Sequence, residues 1–199
     1  QGAPYAGWSD QYFVDNLKPA HGRSYEPRSV STATTNRIIR LLMQYYRLTG
    51  DTRFLAGIPN AIDFLESVKI PAEEAKKWRR QPRTSEEILV PRFIHPETGE
   101  PQYVHRKGSN VKNGKYYTDQ NIENTIAHYS SVATVNPTAL RKSLEEIKKI
   151  PMEELTANSP FTQNKLVPLE KLHDVLLFPY IYNYHVIMLH ILFFHIHQD

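Results

Sequence analysis

The chain has 199 residues, enough for one domain with a real core, and its 40 % hydrophobic and 23 % charged content is that of a globular rather than a disordered protein. A net charge of +3 is too small to argue for nucleic acid and slightly favours acidic partners. There is no cysteine, which excludes disulfides and thiolate metal sites and is compatible with a bacterial protein outside the cytoplasm.

The chain opens on aromatic text, Gly7-Trp8-Ser9-Asp10-Gln11-Tyr12, followed by Lys18-Pro19-Ala20-His21-Gly22-Arg23-Ser24-Tyr25-Glu26-Pro27. The second stretch sets Arg23 in a non-helical segment beside a tyrosine and a glutamate. Such a layout suits an anionic substrate at the mouth of a helical scaffold. From Ser29 to Thr32 come capping candidates, and then Ile38, Leu41, Leu42, Tyr45 and Tyr46 follow the helical apolar spacing. Gly50 falls just past that run, and Asp51 or Thr52 can cap the next. Phe54, Leu55, Ile58, Ala61, Ile62, Leu65 and Val68 make a second run, with Pro59 early in it and a stop at Ile70-Pro71. Residues 33–69 are therefore expected to form an antiparallel helical hairpin with a short turn.

Residues 73–87 are highly charged and predict a solvated helix or a surface loop. Ile88 to His95, the turn Pro96 to Pro101, and Gln102 to Arg106 predict a short β-hairpin or two extended arms. That arrangement would put Arg92, His105, Arg106 and Lys107 on or near one loop system. Asn136-Pro137 opens a further helix with proline at its first position, Leu140, Leu144 and Ile147 as its apolar face, and Pro151 at its close.

The last residues differ in composition from the rest. From Val175 to Gln198 there is no Asp, Glu, Lys or Arg. The run approaches the length of a membrane span, but Pro179, Asn183 and four histidines argue against a lipid-facing helix. Residues 160–199 are expected to be an atypical, non-native tail, such as out-of-frame translation at a truncated gene end. A poor membrane anchor and a hydrophobic packing segment are the alternatives. His185, His190, His195 and His197 lie at intervals of five, five and two, which fit neither a helix face nor a zinc pattern, so no metal site is expected there. The start at Gln1, without methionine or signal peptide, predicts a fragment whose N-terminal part is missing.

Two stretches resemble a known family. Gly7-Trp8 … Gln11, then Lys18-Pro19-Ala20 … Arg23 … Tyr25-Glu26 … Ser29-Val30-Ser31, resembles the catalytic-arginine segment of polysaccharide lyase family ten, the pectic acid lyases. Pro91-Arg92-Phe93, the turn Thr98 to Pro101, and Arg106-Lys107-Gly108 resemble that family's second arginine strand and loop. The resemblance spans roughly residues 5–135. Departures are Gly22 for a usual alanine, Pro27-Arg28 for a Leu-Pro-like pair, and Lys107 for a usual aspartate. The family's Glu-x-Glu-Arg-Arg-x-Gly-Tyr segment is barely recognisable in Gln120 to Tyr129.

The resemblance implies a mainly α fold, a fragment of an α/α toroid of helical hairpins with a short β-hairpin insertion. Residues 1–159 would be the C-terminal part of the catalytic domain, and residues 160–199 the tail. It implies a secreted or periplasmic pectate lyase, a monomer, that cleaves polygalacturonate by calcium-assisted β-elimination. Arg23 would be the base and Arg106 a second catalytic arginine gripping the substrate carboxylate. Lys18, Tyr25 and Arg92 would bind substrate. Calcium ligands would come mainly from earlier segments of the protein and from substrate carboxylates, so the isolated chain is expected to be inactive. The chemistry itself favours fixed cations, because removing the proton α to a uronate carboxylate builds charge on that carboxylate. Arginine binds carboxylates through two parallel donors, which lysine cannot reproduce. An arginine is ordinarily protonated, so the residues alone point to Arg23 as an electrostatic clamp and only the resemblance makes it a base. His21 and His105, flanking the two arginines, are further base candidates. Trp8, Tyr12, Tyr25 and Tyr103 could stack on sugar rings, although each suits core packing, as do Tyr116 and Tyr117. Two other readings stay open. One is a different α/α-toroid carbohydrate enzyme using Asp10, Asp15 or Glu26; the other is a non-catalytic helical module for acidic polysaccharide.

Overall fold

The computed structural model describes residues 6–107, 115–123, 125–126, 131–157 and 159. A two-residue strand β1 (Val30–Ser31) leads into helix α1 (Thr32–Thr49). The Ser31 side chain caps α1 by accepting from the Thr34 N–H at 3.3 Å. Gly50, at φ 69°, ends it with an N–H donated to the Tyr46 carbonyl, a left-handed turn that glycine takes without a Cβ penalty. Asp51 caps a 3-10 turn over Thr52–Leu55, and helix α2 (Ile58–Ser67) follows with Pro59 in its first turn. Ile38, Leu42 and Tyr46 of the expected stripe are buried, and Ile39 and Met43 widen it.

One turn of helix, α3 (Ala72–Ala75), is the only helix in the charged stretch, among the described residues. The strands follow: β2 (Ile88–Pro91), β3 (Phe93–Ile94), β4 (Pro101–Lys107), β5 (Lys115–Asp119) and β6 (Val132–Val135). Helix α4 (Pro137–Lys148) starts at Asn136, whose side chain accepts from the Ala139 N–H at 2.8 Å, and α5 (Met152–Thr156) comes last. Leu140, Leu144 and Ile147 of α4 are all buried against α1 and α2. Residues 160–199, with their histidines, lie outside the described residues. Among the described residues no helix is long and apolar enough to cross a membrane.

The expected mainly α toroid fragment is overturned. Among the described residues 38 % are helical and 18 % lie in strands. The strands make two antiparallel sheets, one in the order β1-β3-β4-β5 and one of β2 with β6. The expected hairpin is real, with Phe93 opposite Gln102 and Ile94 opposite Pro101. However, the run from Ile88 to His95 is split at Arg92. Its first half pairs with β6, from Ile88 opposite Val135 to Pro91 opposite Val132. The physical reason is period-two alternation on a ladder buried on both faces. Val90, Ala133 and Val135 enter the main helical core, while Leu89 and Val132 join a second apolar cluster with Ile70 and Tyr103.

Candidate active site

Arg23 is displayed by a turn that its neighbours hold shut. The Glu26 N–H donates to the Arg23 carbonyl at 2.8 Å, and the Gly22 N–H donates to the Glu26 carbonyl at 3.1 Å. The Glu26 carboxylate accepts from the Arg23 N–H at 2.8 Å. Its other oxygen lies 3.8 Å from Arg23 Nη1, and the Arg23 side chain is 51 % exposed. A Cβ at Gly22 would meet the ends of the Glu26 and Gln11 side chains, so an alanine there requires those two side chains to shift.

The turn is tied down on both sides. Arg28 Nη2 meets Glu97 Oε1 of the β3–β4 turn at 2.5 Å, and Gln102 Nε2 donates to the Arg28 carbonyl at 3.1 Å. Upstream, the Trp8 N–H donates to Thr35 Oγ1 at 3.0 Å and the Ser31 N–H to the Trp8 carbonyl at 2.8 Å. The Gly-Trp segment thereby packs on the first turns of α1. Gly7 sits there because a Cβ would come within 2.6 Å of Val30 Cγ1 and 2.8 Å of Phe64 Cε1.

Arg106 belongs to β4, opposite Tyr116 of β5. Its guanidinium lies 4.7 Å above the Tyr116 ring, and its Nη2 donates to the Tyr116 hydroxyl. Tyr116 in turn meets Tyr25 edge to face, with ring centroids 5.7 Å apart. Arg23 Nη1 donates to the Tyr25 hydroxyl at 3.5 Å. The fold thus gathers Arg23, Tyr25, Tyr116 and Arg106 into one line, two guanidiniums flanking a pair of tyrosines. Tyr116, expected only to pack, is the member that sequence reasoning missed. Its signal is its register opposite Arg106, which exists only once β4 and β5 have paired.

The other candidates are placed differently. Lys18 is exposed on a loop closed by the Phe13 N–H to the Lys18 carbonyl, 2.9 Å, and its ammonium has no hydrogen bond or ion pair among the described residues. Arg92 occupies the step between β2 and β3. Its N–H donates to the Ser131 carbonyl at 2.9 Å, its carbonyl accepts from the Thr32 N–H at 3.0 Å, and its guanidinium lies over the Phe93 ring. His105 does not share a loop with Arg106. It is buried on the opposite face of β4, with Nε2 2.7 Å from Asp119 Oδ1 and its ring stacked on Tyr117. His21 is exposed and touches the edge of Phe13. Trp8 packs against the main core, Tyr103 is buried and stacked on Trp78, and the Tyr12 hydroxyl accepts from the Ser9 N–H.

Two of the carboxylates a hydrolase would need are already engaged. Asp10 accepts from the Thr34 hydroxyl, and Glu26 holds the Arg23 turn. Among the described residues no three acidic or histidine side chains converge on a metal position. The arrangement offers two fixed cations and two aromatic rings, a chemistry for carboxylates on sugars.

Comparison with known proteins agrees with the motifs that carry the two arginines. No curated protein matches the chain significantly. The family described as pectic acid lyase has a model that matches residues 1–124, more than half of the chain and inclusive of Arg23, Tyr25, Arg106 and Tyr116. The chain belongs to the pectic acid lyase family.

Proposed function

We propose that the chain acts on an acidic polysaccharide, polygalacturonate, with Arg23 and Arg106 as a pair of cations that clamp uronate carboxylates along the polymer. The observation that carries the reading is the joining of these two arginines, distant in sequence, through Tyr25 and Tyr116. In a β-elimination a base takes the proton α to the carboxylate. The electron pair forms a carbon–carbon double bond, and the glycosidic oxygen leaves from the β carbon. Charge grows on the carboxylate in that step, and a pre-positioned guanidinium stabilises it more than it stabilises the ground state. Tyr25 offers an aromatic edge to the sugar, and Lys18 and Arg92 are secondary cations for neighbouring uronates.

The neighbours of Arg23 support the clamp role. A carboxylate 3.8 Å from Nη1 is a setting for a cation rather than for a neutral base. The base assignment rests on the resemblance. Calcium is likewise the resemblance's expectation, since this ion needs ~6–8 oxygen ligands and no three acidic or histidine side chains converge among the described residues. Substrate carboxylates would supply part of that oxygen set.

The test is binding of trigalacturonate by the chain and its Arg23→Ala and Arg106→Ala variants, with ultraviolet detection of unsaturated product with and without calcium. At least tenfold weaker binding in each variant supports the clamp. Unchanged binding in both overturns it. Lyase turnover that survives undiminished in both variants would likewise overturn it.

A further inference from the structure

A second concavity lies away from the arginine–tyrosine line. It has a volume of about 750 Å³, within the size range of ligand pockets. One wall is the segment Trp78 to Arg83, and the other includes Val132 and Thr134 of β6. The alternation of β4 places it. Trp78 stacks on Tyr103 with centroids 5.8 Å apart, and Tyr103 lies three residues before Arg106, on the opposite face of the strand. A ligand gripped by Arg106 therefore does not run straight into this cavity.

The basic wall is braced. Gln81 Nε2 donates to the Ala75 carbonyl at 2.8 Å and to the Trp78 carbonyl at 2.5 Å. The Arg83 N–H donates to Glu87 Oε2 at 2.7 Å. Glu87 is the only carboxylate among the described residues that line the cavity, against the guanidiniums of Arg79, Arg80 and Arg83. None of these three makes an ion pair among the described residues, whereas Arg23, Arg28, Arg53 and Arg141 all do. Three arginines, a tryptophan and a threonine line one concavity, a composition suited to an anion that also carries an apolar, hydroxyl-bearing surface.

We propose that this cavity is a second binding site for acidic oligosaccharide, with Arg79, Arg80 and Arg83 as carboxylate ligands and Trp78 as a wall for a sugar ring. The class of sugar rests on the reading of the preceding section; the position and charge of the site do not. Its role is to hold a second uronate segment on the other side of the sheet and so retain the polymer.

The experiment is a calorimetric titration of the full chain with trigalacturonate, repeated on R79A/R80A/R83A and on R23A/R106A, with thermal melts to check the fold. Two bound molecules per chain are expected. The triple variant should lose one, with the affinity at that site falling at least tenfold, and R23A/R106A should keep it. An unchanged stoichiometry and affinity in R79A/R80A/R83A overturns the proposal. Binding that survives in R23A/R106A but vanishes when the three arginines are also removed supports this site even where the first has failed. Inorganic phosphate is the second probe. Displacement of trigalacturonate from R23A/R106A by phosphate at equal charge would show a site that reads charge alone, and would overturn the sugar assignment.

Discussion

Two glycine-to-alanine changes should move stability in opposite directions. At Gly7 an added Cβ meets Val30 Cγ1 at 2.6 Å, Phe64 Cε1 at 2.8 Å and Thr35 Oγ1 at 2.8 Å. Val30 and Phe64 are each 4 % exposed, so neither can swing out of the way. Thr35 Oγ1 already donates to the Ser31 carbonyl and accepts from the Trp8 N–H, so moving it breaks one of those bonds. Overpacking of this kind costs about 1–3 kcal/mol. In a chain of this length each kcal/mol is about 2–4 °C in Tm, so Gly7→Ala should melt roughly 2–12 °C lower. Gly57 is the control. It has φ −86° and ψ −9°, makes no side-chain cap, and has nothing within 4 Å of an added Cβ. Because its backbone is already helical, alanine there should add about 0.4–1 kcal/mol by restricting the unfolded chain. The assay is a circular-dichroism melt of the three proteins. A Gly7→Ala chain that melts at or above the parent would refute the docking of the Gly-Trp segment on α1. The same variant should also weaken trigalacturonate binding, because that segment leads directly into the Arg23 turn.

Tyr116→Phe removes the hydroxyl that accepts from Arg106 Nη2. It should weaken trigalacturonate binding several-fold, about 1 kcal/mol, with little change in Tm, whereas Tyr117→Phe should change neither. Burial, with a smaller contribution from Glu74, pushes the Tyr103 hydroxyl up to about 12. A group raised in the folded state stabilises the fold below its unfolded value, near ~10, and loses that contribution as pH rises through its folded value. Stability should therefore fall between about pH 10 and 12 in a denaturant series, and Tyr103→Phe should flatten that fall. Arg141 joins α4 to α2 through Asp63 and Glu66, each at 2.5 Å, and these partners raise its affinity for the proton. The group is 41 % exposed, so Arg141→Ala should cost no more than ~1 kcal/mol, and the loss should shrink in high salt.

Local chemistry was legible wherever one segment carried its own signal. Ser31, Gly50, Asp51 and Asn136-Pro137 mark helix ends that the fold uses, because a cap is satisfied by atoms within a few residues of it. The apolar faces of α1, α2 and α4 followed from spacing, and the turn residues Pro96 to Pro101 marked the β3–β4 hairpin as one of two options, the one the fold takes. Arg23 and Arg106 were visible through motifs. The sheets were not. β1 is two residues long and β5 is largely exposed, so neither carries an apolar pattern, and β6 acquires its meaning only from its pairing with β2. Strand pairing is a contact between distant segments, and no property of one segment encodes its partner. The same limit explains the site. The sequence by itself determined which residues carry charge and which can cap, turn or fill a core. Only the tertiary structure decided that Tyr116 lies beneath Arg106 and beside Tyr25, and that His105 turns inward while Arg106 turns out. Alternation along β4 and its register with β5 set those directions, and both exist only once the strands have paired.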